Sequence, residues 1–426
     1  MWRMWRKSNN GVFRLKLTGG KVSRIMCAGL KRKDKIRVGF IINYDFDIWL
    51  GGFNYFKTLI DTIMELPERK IEPVIFTSRK NYQLVSEAFP KNEIIVSNYL
   101  DPWRPAWVIR NIVKRVFNKD VFLARFFLSH QVDVLSHAGL AVSHTGLPFL
   151  CWIPDFQHRH LPQFFSKSEV EYRDRRFMQL CQMSTGVIVS SRDAQKTLAE
   201  FSPSAAKKSF VLNFVPKPDE GFVQVSPEAL QEKYHISFPY FHLPNQFWAH
   251  KNHRLIIEAL RILKQEGKMV YVVATGNPVD DRQPEFYGAL MEEVKLYGLF
   301  DNFKSLGIVP FKEMMAIMWH SVAVINPSFF EGWSTTVEEA KSMGKKVILS
   351  DIPVHREQNP ERGVYVSPDD PGQLAAALGT ALKEFDGEAE RKYAEKAKRE
   401  LPERRAAFGR RYQEIVLTAL TGSGLE

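Results

Sequence analysis

Apolar residues fall along this chain in two series of short runs, each run strand-length and each pair separated by a stretch of helical period. The first series opens at Ile36-Arg-Val-Gly-Phe-Ile-Ile42, a β-branched run bounded by Asn43, Asp45 and Asp47, and reads as a buried strand. A Gly51-Gly52 pair follows, then Phe53, Phe56, Leu59, Ile60 and Ile63 at three-to-four spacing, which predicts a helix. Further strand-like runs stand at 72–76, 94–96, 132–135, 148–152 and 186–190. The second series has runs at 240–243, 269–274, 303–306, 322–326, 346–350 and 363–367, with helical patterns over 251–266, 285–298, 311–319 and 335–343. Strand and helix alternating in this way predict a parallel sheet covered on both faces, and two such series predict an α/β chain of two doubly wound, Rossmann-like domains. Their expected extents are 36–215 and 239–400, joined by a linker at 216–238 containing Pro216, Pro218 and Gly221. A charged helix from 386 leads into a C-terminal segment, 401–426, expected to pack back on the first domain.

Composition narrows the class. Hydrophobic residues at 45% and charged residues at 25% exclude a disordered or fibrous chain. Cys27, Cys151 and Cys181, with no C-x-x-C pair, exclude a disulfide scaffold and a cysteine zinc site, and fit a reducing cytoplasm. No run approaches the roughly eighteen apolar residues of a membrane span. The net charge of +11 is unevenly spread: residues 1–35 hold eleven Lys or Arg against Asp34 alone, and the remaining body is nearly neutral. That segment reads as an unstructured extension, as an upstream start with the true start nearer Met26, or as a contact for anionic lipid headgroups or nucleic acid. It lacks the apolar core and cleavage site of a secretory signal. The neutral body, without an aromatic-basic stacking surface, argues against nucleic acid as a partner.

The most informative stretch is Asn326-Pro-Ser-Phe-Phe-Glu-Gly-Trp-Ser-Thr-Thr-Val-Glu-Glu-Ala340. A strand ends at Asn326, a Gly-containing turn follows, and a helix opens at Ser334 or Thr335, both good N-cap types. The exposed N–H groups and positive dipole end of such a helix face any anion above the turn. Glu331 in the loop and Glu339 on the helix bracket that turn at E-x7-E spacing, held apart so that they can grip hydroxyls at two points of one ligand. The bland alternative is a surface loop with solvated glutamates.

With Glu331-Gly-Trp-Ser inside an E-x7-E turn, the sequence resembles retaining glycosyltransferases of the GT-B fold, in the large family-4 type group also called glycosyl transferases group 1. Leu243-Pro-Asn-Gln-Phe-Trp-Ala-His-Lys-Asn-His253 shares the resemblance, as does Trp152-Ile-Pro-Asp-Phe-Gln-His158 with Pro162 and Phe164-Phe165. So do Val189-Ser-Ser191, Gly307 to Pro310 and Ser350-Asp-Ile-Pro-Val-His-Arg-Glu357, in the expected order over roughly 36–420. The resemblance implies two domains facing a central cleft, the first on the acceptor side and the second binding a nucleotide sugar. It implies that Glu339 bonds the ribose, that Glu331 bonds hydroxyls of the donor sugar, and that N–H groups of Gly332, Trp333, Ser334 and Thr335 hold the distal phosphate. Lys251 would neutralise the pyrophosphate, Gly51 and Gly52 would let the backbone approach the phosphate, and Ile308 would offer backbone contacts to the base.

Two departures stand out. Relatives often carry an Arg five or six residues before the Lys, where this chain has Asn245 and Gln246; Lys251 acts with such neutral donors, or His250 and other cationic groups compensate. Many relatives have His-Asp where this chain has Pro154-Asp155, which leaves Asp155 as a candidate site residue and His158 as a candidate for the missing imidazole, against the commoner case of a structural histidine. Asp45-Phe46-Asp47 has the spacing of a metal-binding Asp-x-Asp, but turn-forming aspartates explain it equally well. A Lys and a helix N-terminus can do an ion's electrostatic work, so neither metal nor cofactor is expected.

The expected function is transfer of a mannose- or glucose-type hexosyl group, with retention, from a nucleotide diphosphate sugar to a saccharide or lipid-linked acceptor in cell-surface polysaccharide or glycolipid synthesis. The alternatives are a nucleotide-sugar-binding protein of the same fold that has lost turnover, and a nucleotide-sugar epimerase. The expected location is cytoplasmic, with candidate peripheral contacts to the inner membrane face at 1–35 and 103–119. The latter segment interleaves Trp103, Trp107, Ile109, Ile112, Val113, Val116 and Phe117 with Arg104, Arg110, Lys114, Arg115 and Lys119. It reads either as an interfacial amphipathic helix or as a core-packing helix with solvated basic residues.

Overall fold

The computed structural model describes residues 35–43, 50–218 and 220–421. The basic residues 1–34, Cys27 among them, and the Asp45-x-Asp47 pair lie outside the described residues.

The first series of apolar runs forms β1 (Ile36–Ile41), β2 (Ile71–Thr77), β3 (Glu93–Val96), β4 (Val134–Ser136), β5 (Leu150–Ile153), β6 (Gly186–Val189) and β7 (Ser209–Val211). They pair in the order β3-β2-β1-β4, and a single bridge between Leu135 and Phe149 leads on to β5-β6-β7. The second series forms β8 (Phe241–Leu243), β9 (Val272–Ala274), β10 (Phe303–Ser305), β11 (Val324–Asn326), β12 (Val347–Ser350) and β13 (Gly363–Val366), in the order β10-β9-β8-β11-β12-β13. Every pairing between these strands is parallel. Helices cover both faces of such sheets, so strands like β6 and β12 are buried along their whole length.

Both halves share the strand order of a doubly wound sheet, in which ligands bind beyond the carboxyl ends of the strands where the order reverses. That reversal falls between β1 and β4 in the first half and between β8 and β11 in the second. The loops leaving β8 and β11 carry Asn245 to Lys251 and Ser328 to Ser334.

Strand β7 is absent from the sequence reading. It is three residues long, and its pairing of Ile188 with Phe210 is what makes it a strand. The 216–238 stretch is more than a bare connection. It contains the helix Pro227–Tyr234, capped by Ser226, and Phe222, Leu230 and Ile236 are buried in the core of the second half. The Gly51-Gly52 pair lies inside the helix Leu50–Glu65 rather than ahead of it.

The chain ends in a 35-residue helix, Gly387–Thr421. Its Phe408, Tyr412, Ile415 and Val416 bury against Val38, Phe40, Phe56 and Leu59 of the first half, at roughly 1.5–3 kcal/mol for each fully buried side chain. Two adjacent arginines divide their loyalties. Arg404 Nη2 lies 2.6 Å from Glu338 Oε2 in the second half, and Arg405 Nη2 lies 2.8 Å from Glu65 Oε2 in the first, with Nη1 donating to the Val215 carbonyl at 3.3 Å.

Candidate active site

The loop after β8 is built to hold Lys251. Asn245 is buried, its Nδ2 donating to Asn326 Oδ1 at 3.3 Å and its Oδ1 accepting from Thr336 Oγ1 at 3.4 Å. The Gln246 carbonyl accepts from Trp248 N–H at 2.7 Å. A short 3₁₀ turn, Ala249–Lys251, then passes into the helix His253–Gln265 through Asn252, whose φ of 57° is left-handed. Asn252 Nδ2 fixes that corner by donating to the carbonyls of Pro327 at 3.2 Å and Pro368 at 2.8 Å. Lys251 Nζ is thereby delivered 2.7 Å from Glu331 Oε1.

The loop after β11 is braced from beneath. Phe329 N–H donates to the His250 carbonyl at 2.9 Å, tying the two loops together. Ser328 Oγ lies 2.7 Å from both Asn326 Oδ1 and Glu331 Oε1, so its one proton serves one of them. Asn326 Nδ2 donates to Ser334 Oγ at 2.6 Å, and that oxygen caps the helix Thr335–Met343 by accepting from Val337 N–H at 3.3 Å. Ser334 N–H is taken by Gln358 Oε1 at 3.3 Å. Among the described residues no acceptor stands opposite the N–H groups of Gly332, Trp333 and Thr335.

The two glutamates differ electrostatically. Burial pushes Glu331 up, but the Lys251 ammonium, His355 and the hydrogen bonds from Lys251 and Ser328 outweigh it and hold the carboxyl below its usual range. Glu339 is buried too, yet no group among the described residues hydrogen-bonds its carboxylate, and burial alone pushes it up to about 8. Glu338 beside it is fully spent on Arg404, Lys341 and Gln358.

His250 does not supply the cation missing before Lys251. It is buried, and desolvation, reinforced by Lys251 and Arg282, lowers it well below the ordinary histidine range, so it is neutral. A cation that pattern reading missed stands nearby instead. Arg282, from the loop after β9, lies over the Trp248 ring at 5.4 Å and over the Phe165 ring of the first half at 5.0 Å, with Nε on Asp280 at 3.2 Å.

The first half closes over these loops. Pro154 and Asp155, just after β5, meet Gly332 so closely that a Cβ there would stand 2.5 Å from the Pro154 carbonyl and 2.8 Å from Asp155 Cβ. Only glycine fits that approach. Asp155 Oδ1 accepts from Gln157 N–H at 2.9 Å. Phe330 stacks on His160 at 5.0 Å. Glu357 accepts from the Arg192 N–H at 2.9 Å and the Asp193 N–H at 3.3 Å, capping the helix Arg192–Phe201 across the cleft.

Asp155, Gly332, Glu331, Lys251 and Asn245 therefore form one connected site, with Ser334 beneath it. Trp333 is turned elsewhere: its indole Nε1 donates to the Phe214 carbonyl at 3.1 Å and its ring packs on the first half's core. His158 is fully buried among Phe156, Phe165 and Phe177, with Nε2 on Asp174 Oδ1 at 2.9 Å; desolvation lowers its pKa against the opposing pull of Asp174 and, more weakly, Asp155. Ile308 is exposed after Gly307, whose φ is 65°. Thr335 is exposed, and Gly52 is buried in the Leu50–Glu65 helix that also contains Gly51. Asn326 and Ser328, which steer Glu331, lie inside the quoted motif and were accessible to reading. Gln358 and Arg282 carried no local signal.

Residues 238–400 match the family described as glycosyl transferases group 1. The chain is similar to the O-antigen chain mannosyltransferase RfbU of Salmonella typhimurium, 26% identical over 193 residues, which is 45% of this chain and 49% of that protein. The match thus spans about half the length of that curated relative. Among solved structures, a glycosyltransferase from Rickettsia africae aligns with 92% of this chain and 100% of its own at a TM-score of 0.64 and 17% identity. The Anabaena protein HepE, in complex with UDP and glucose, aligns over 90% and 100% at 0.63 and 15%. Sucrose-phosphate synthase from Thermosynechococcus elongatus aligns over 91% and 100% at 0.59 and 14%. These structural likenesses establish the fold, which is GT-B, and residues 238–400 are similar to the glycosyl transferases group 1 family.

Proposed function

We propose that the protein transfers a hexosyl group of mannose or glucose type, with retention, from a nucleotide diphosphate sugar to a saccharide or lipid-linked acceptor in cell-surface polysaccharide or glycolipid synthesis. The observation that carries this reading is the pair of buried carboxylates at the β8/β11 switch point: Glu331 joined to Lys251 at 2.7 Å, and Glu339 buried without a partner. Glu339 accepts hydrogen bonds from the ribose hydroxyls. Glu331 accepts from hydroxyls of the donor sugar. Lys251, with the N–H groups of Gly332, Trp333 and Thr335, meets the negative charge that grows on the pyrophosphate as the sugar leaves. Asn245 and Gln246 fix the Lys251 loop, and Ile308 borders the base through its backbone. The incoming acceptor hydroxyl approaches on the face that the phosphate leaves, and a phosphate oxygen takes its proton, so no dedicated base is required and Asp155 is left to orient the sugar or acceptor. Neither metal nor cofactor enters this scheme.

The name of the Salmonella relative supports mannose, and the HepE complex supports UDP and glucose. The test is a panel of nucleotide sugars: the cognate donor raises the melting temperature with concentration, and an acceptor then releases the nucleoside diphosphate. The anomeric configuration of the product reads retention directly, and an unchanged rate in chelator reads metal independence. Binding without turnover on any acceptor would overturn the transferase reading.

A further inference from the structure

We propose that the outer face of the first half, from Trp103 to Leu128, docks on an anionic lipid bilayer. This inference does not rest on the transfer chemistry. The helix Pro105–Phe117 is held to the body by its one buried residue, Arg110, whose Nε lies 2.7 Å from Asp120 Oδ2 and whose Nη1 donates to the Tyr99 carbonyl at 2.9 Å. A buried arginine on the inner side leaves the apolar stripe outside. Ile109 is 53% exposed, Ile112 58%, Val116 70% and Phe117 67%, and Trp103 at the helix entrance is 84% exposed beside Trp107. At about 100° per residue, Ile112, Val116 and Ile109 stand roughly 200°, 240° and 260° around the helix from Arg110, so these three face away from the side that Arg110 anchors, and Phe117 is exposed at the helix end. The core-packing reading of this segment is therefore overturned for the stripe. Val121 and Leu128, on the next helix, Val121–Ser129, extend it.

The charges around the stripe decide the occupant. Between Pro102 and Val132 the one acidic side chain is Asp120, which is buried and committed to Arg110 and to the Leu123 N–H. Arg104, Arg115, Lys119 and Arg125 are exposed, and Lys114 is half-buried. An apolar stripe with tryptophans at one end and an unopposed basic border matches the apolar interior and anionic headgroups of a bilayer surface. Against a protein partner or a second copy, five uncompensated cations around so small a patch would face their own kind or require a matching acidic ring. Among the described residues no helix is long and apolar enough to cross a membrane, so the contact is peripheral.

The experiment is flotation of the full-length chain with vesicles of phosphatidylglycerol and phosphatidylcholine, against phosphatidylcholine alone. Binding should require the anionic lipid and weaken as salt screens the border. Ile112→Asp with Val116→Asp should lower vesicle partition at least tenfold while leaving the melting temperature unchanged, because both side chains are already in water. Trp103 emission should shift to the blue on binding, read as the difference from Trp103→Phe. Undiminished flotation of the Ile112/Val116 variant would place the contact elsewhere, residues 1–34 included, and overturn the proposal. A wild-type dimer that the same variant dissociates, with no flotation in either protein, would make the face a protein interface and overturn it equally.

Discussion

The loop that carries Glu331 and the helix that carries Glu339 adjoin on one turn of chain and bury both carboxylates, yet they treat negative charge in opposite ways. Around Glu331, Lys251 and Ser328 supply positive charge and a hydroxyl, and the group stays ionised. Around Glu339 the protein supplies nothing, and the group holds its proton up to about pH 8. A buried carboxyl without a partner is a standing cost in the free protein. A ligand that brings hydroxyl donors removes that cost, so the difference between the two glutamates separates a pre-assembled part of the site from a part that the ligand completes.

Removing the partner of the first carboxylate should have the largest effect. Lys251→Ala should slow transfer by roughly 10²-fold or more if its charge acts on the leaving pyrophosphate as proposed, and it should also raise the Glu331 pKa. Steady-state rates decide this, and turnover within about threefold of wild type would remove Lys251 from the chemistry. Next comes Glu339→Gln, which should weaken free nucleoside diphosphate and intact donor alike, by roughly ten- to a hundredfold. Glu331→Gln should leave nucleotide affinity nearly intact and reduce transfer. Calorimetry with the nucleotide alone distinguishes them; equal losses would make the turn a nucleotide clamp only.

A smaller effect follows from pH. If ribose hydroxyls donate to the ionised form of Glu339 as proposed, nucleotide affinity should rise as pH is raised toward about 8, by up to about tenfold per unit, and level off above it. Stability runs the other way. The folded protein holds a proton on Glu339 that the unfolded chain has released, so this group's contribution to stability falls from about pH 4.5 to about pH 8. Glu339→Gln should flatten both trends, raising the melting temperature at pH 8.5 and leaving it unchanged near pH 4. An affinity profile of the same slope in wild type and variant would place the titrating group elsewhere. The smallest effect is expected from Trp333→Phe, which removes the indole bond to Phe214. At about 1 kcal/mol it should raise KM a few-fold with kcat little changed.

Much of this was legible in the chain. The strands with three or more β-branched or aromatic residues in a row announced themselves, and so did the E-x7-E turn, because cap, glycine and carboxylates are local features. What stayed hidden depended on partners distant in sequence. Strand β7 exists because β6 offers it an edge. Trp333 looked like part of a phosphate cradle, and only Phe214, more than a hundred residues earlier, shows that its ring belongs to the first half. His250 looked like a spare cation until burial made it neutral. The 103–117 period announced an amphipathic helix, but which face meets water is decided by where Arg110 finds Asp120.

Arg404 and Arg405 give the C-terminal helix a hold on both halves at once. Successive residues on a helix point about 100° apart, so one turn of the C-terminal helix grips Glu338 on one side and Glu65 on the other. A rigid opening motion that kept both grips while the other contacts between the halves parted would turn about that point, as a door turns about its pin. Displacement then grows with distance from the pin, in proportion to the lever arm. On such a motion the rim where Arg282 meets Phe165 would move further than the helix turn at Arg404.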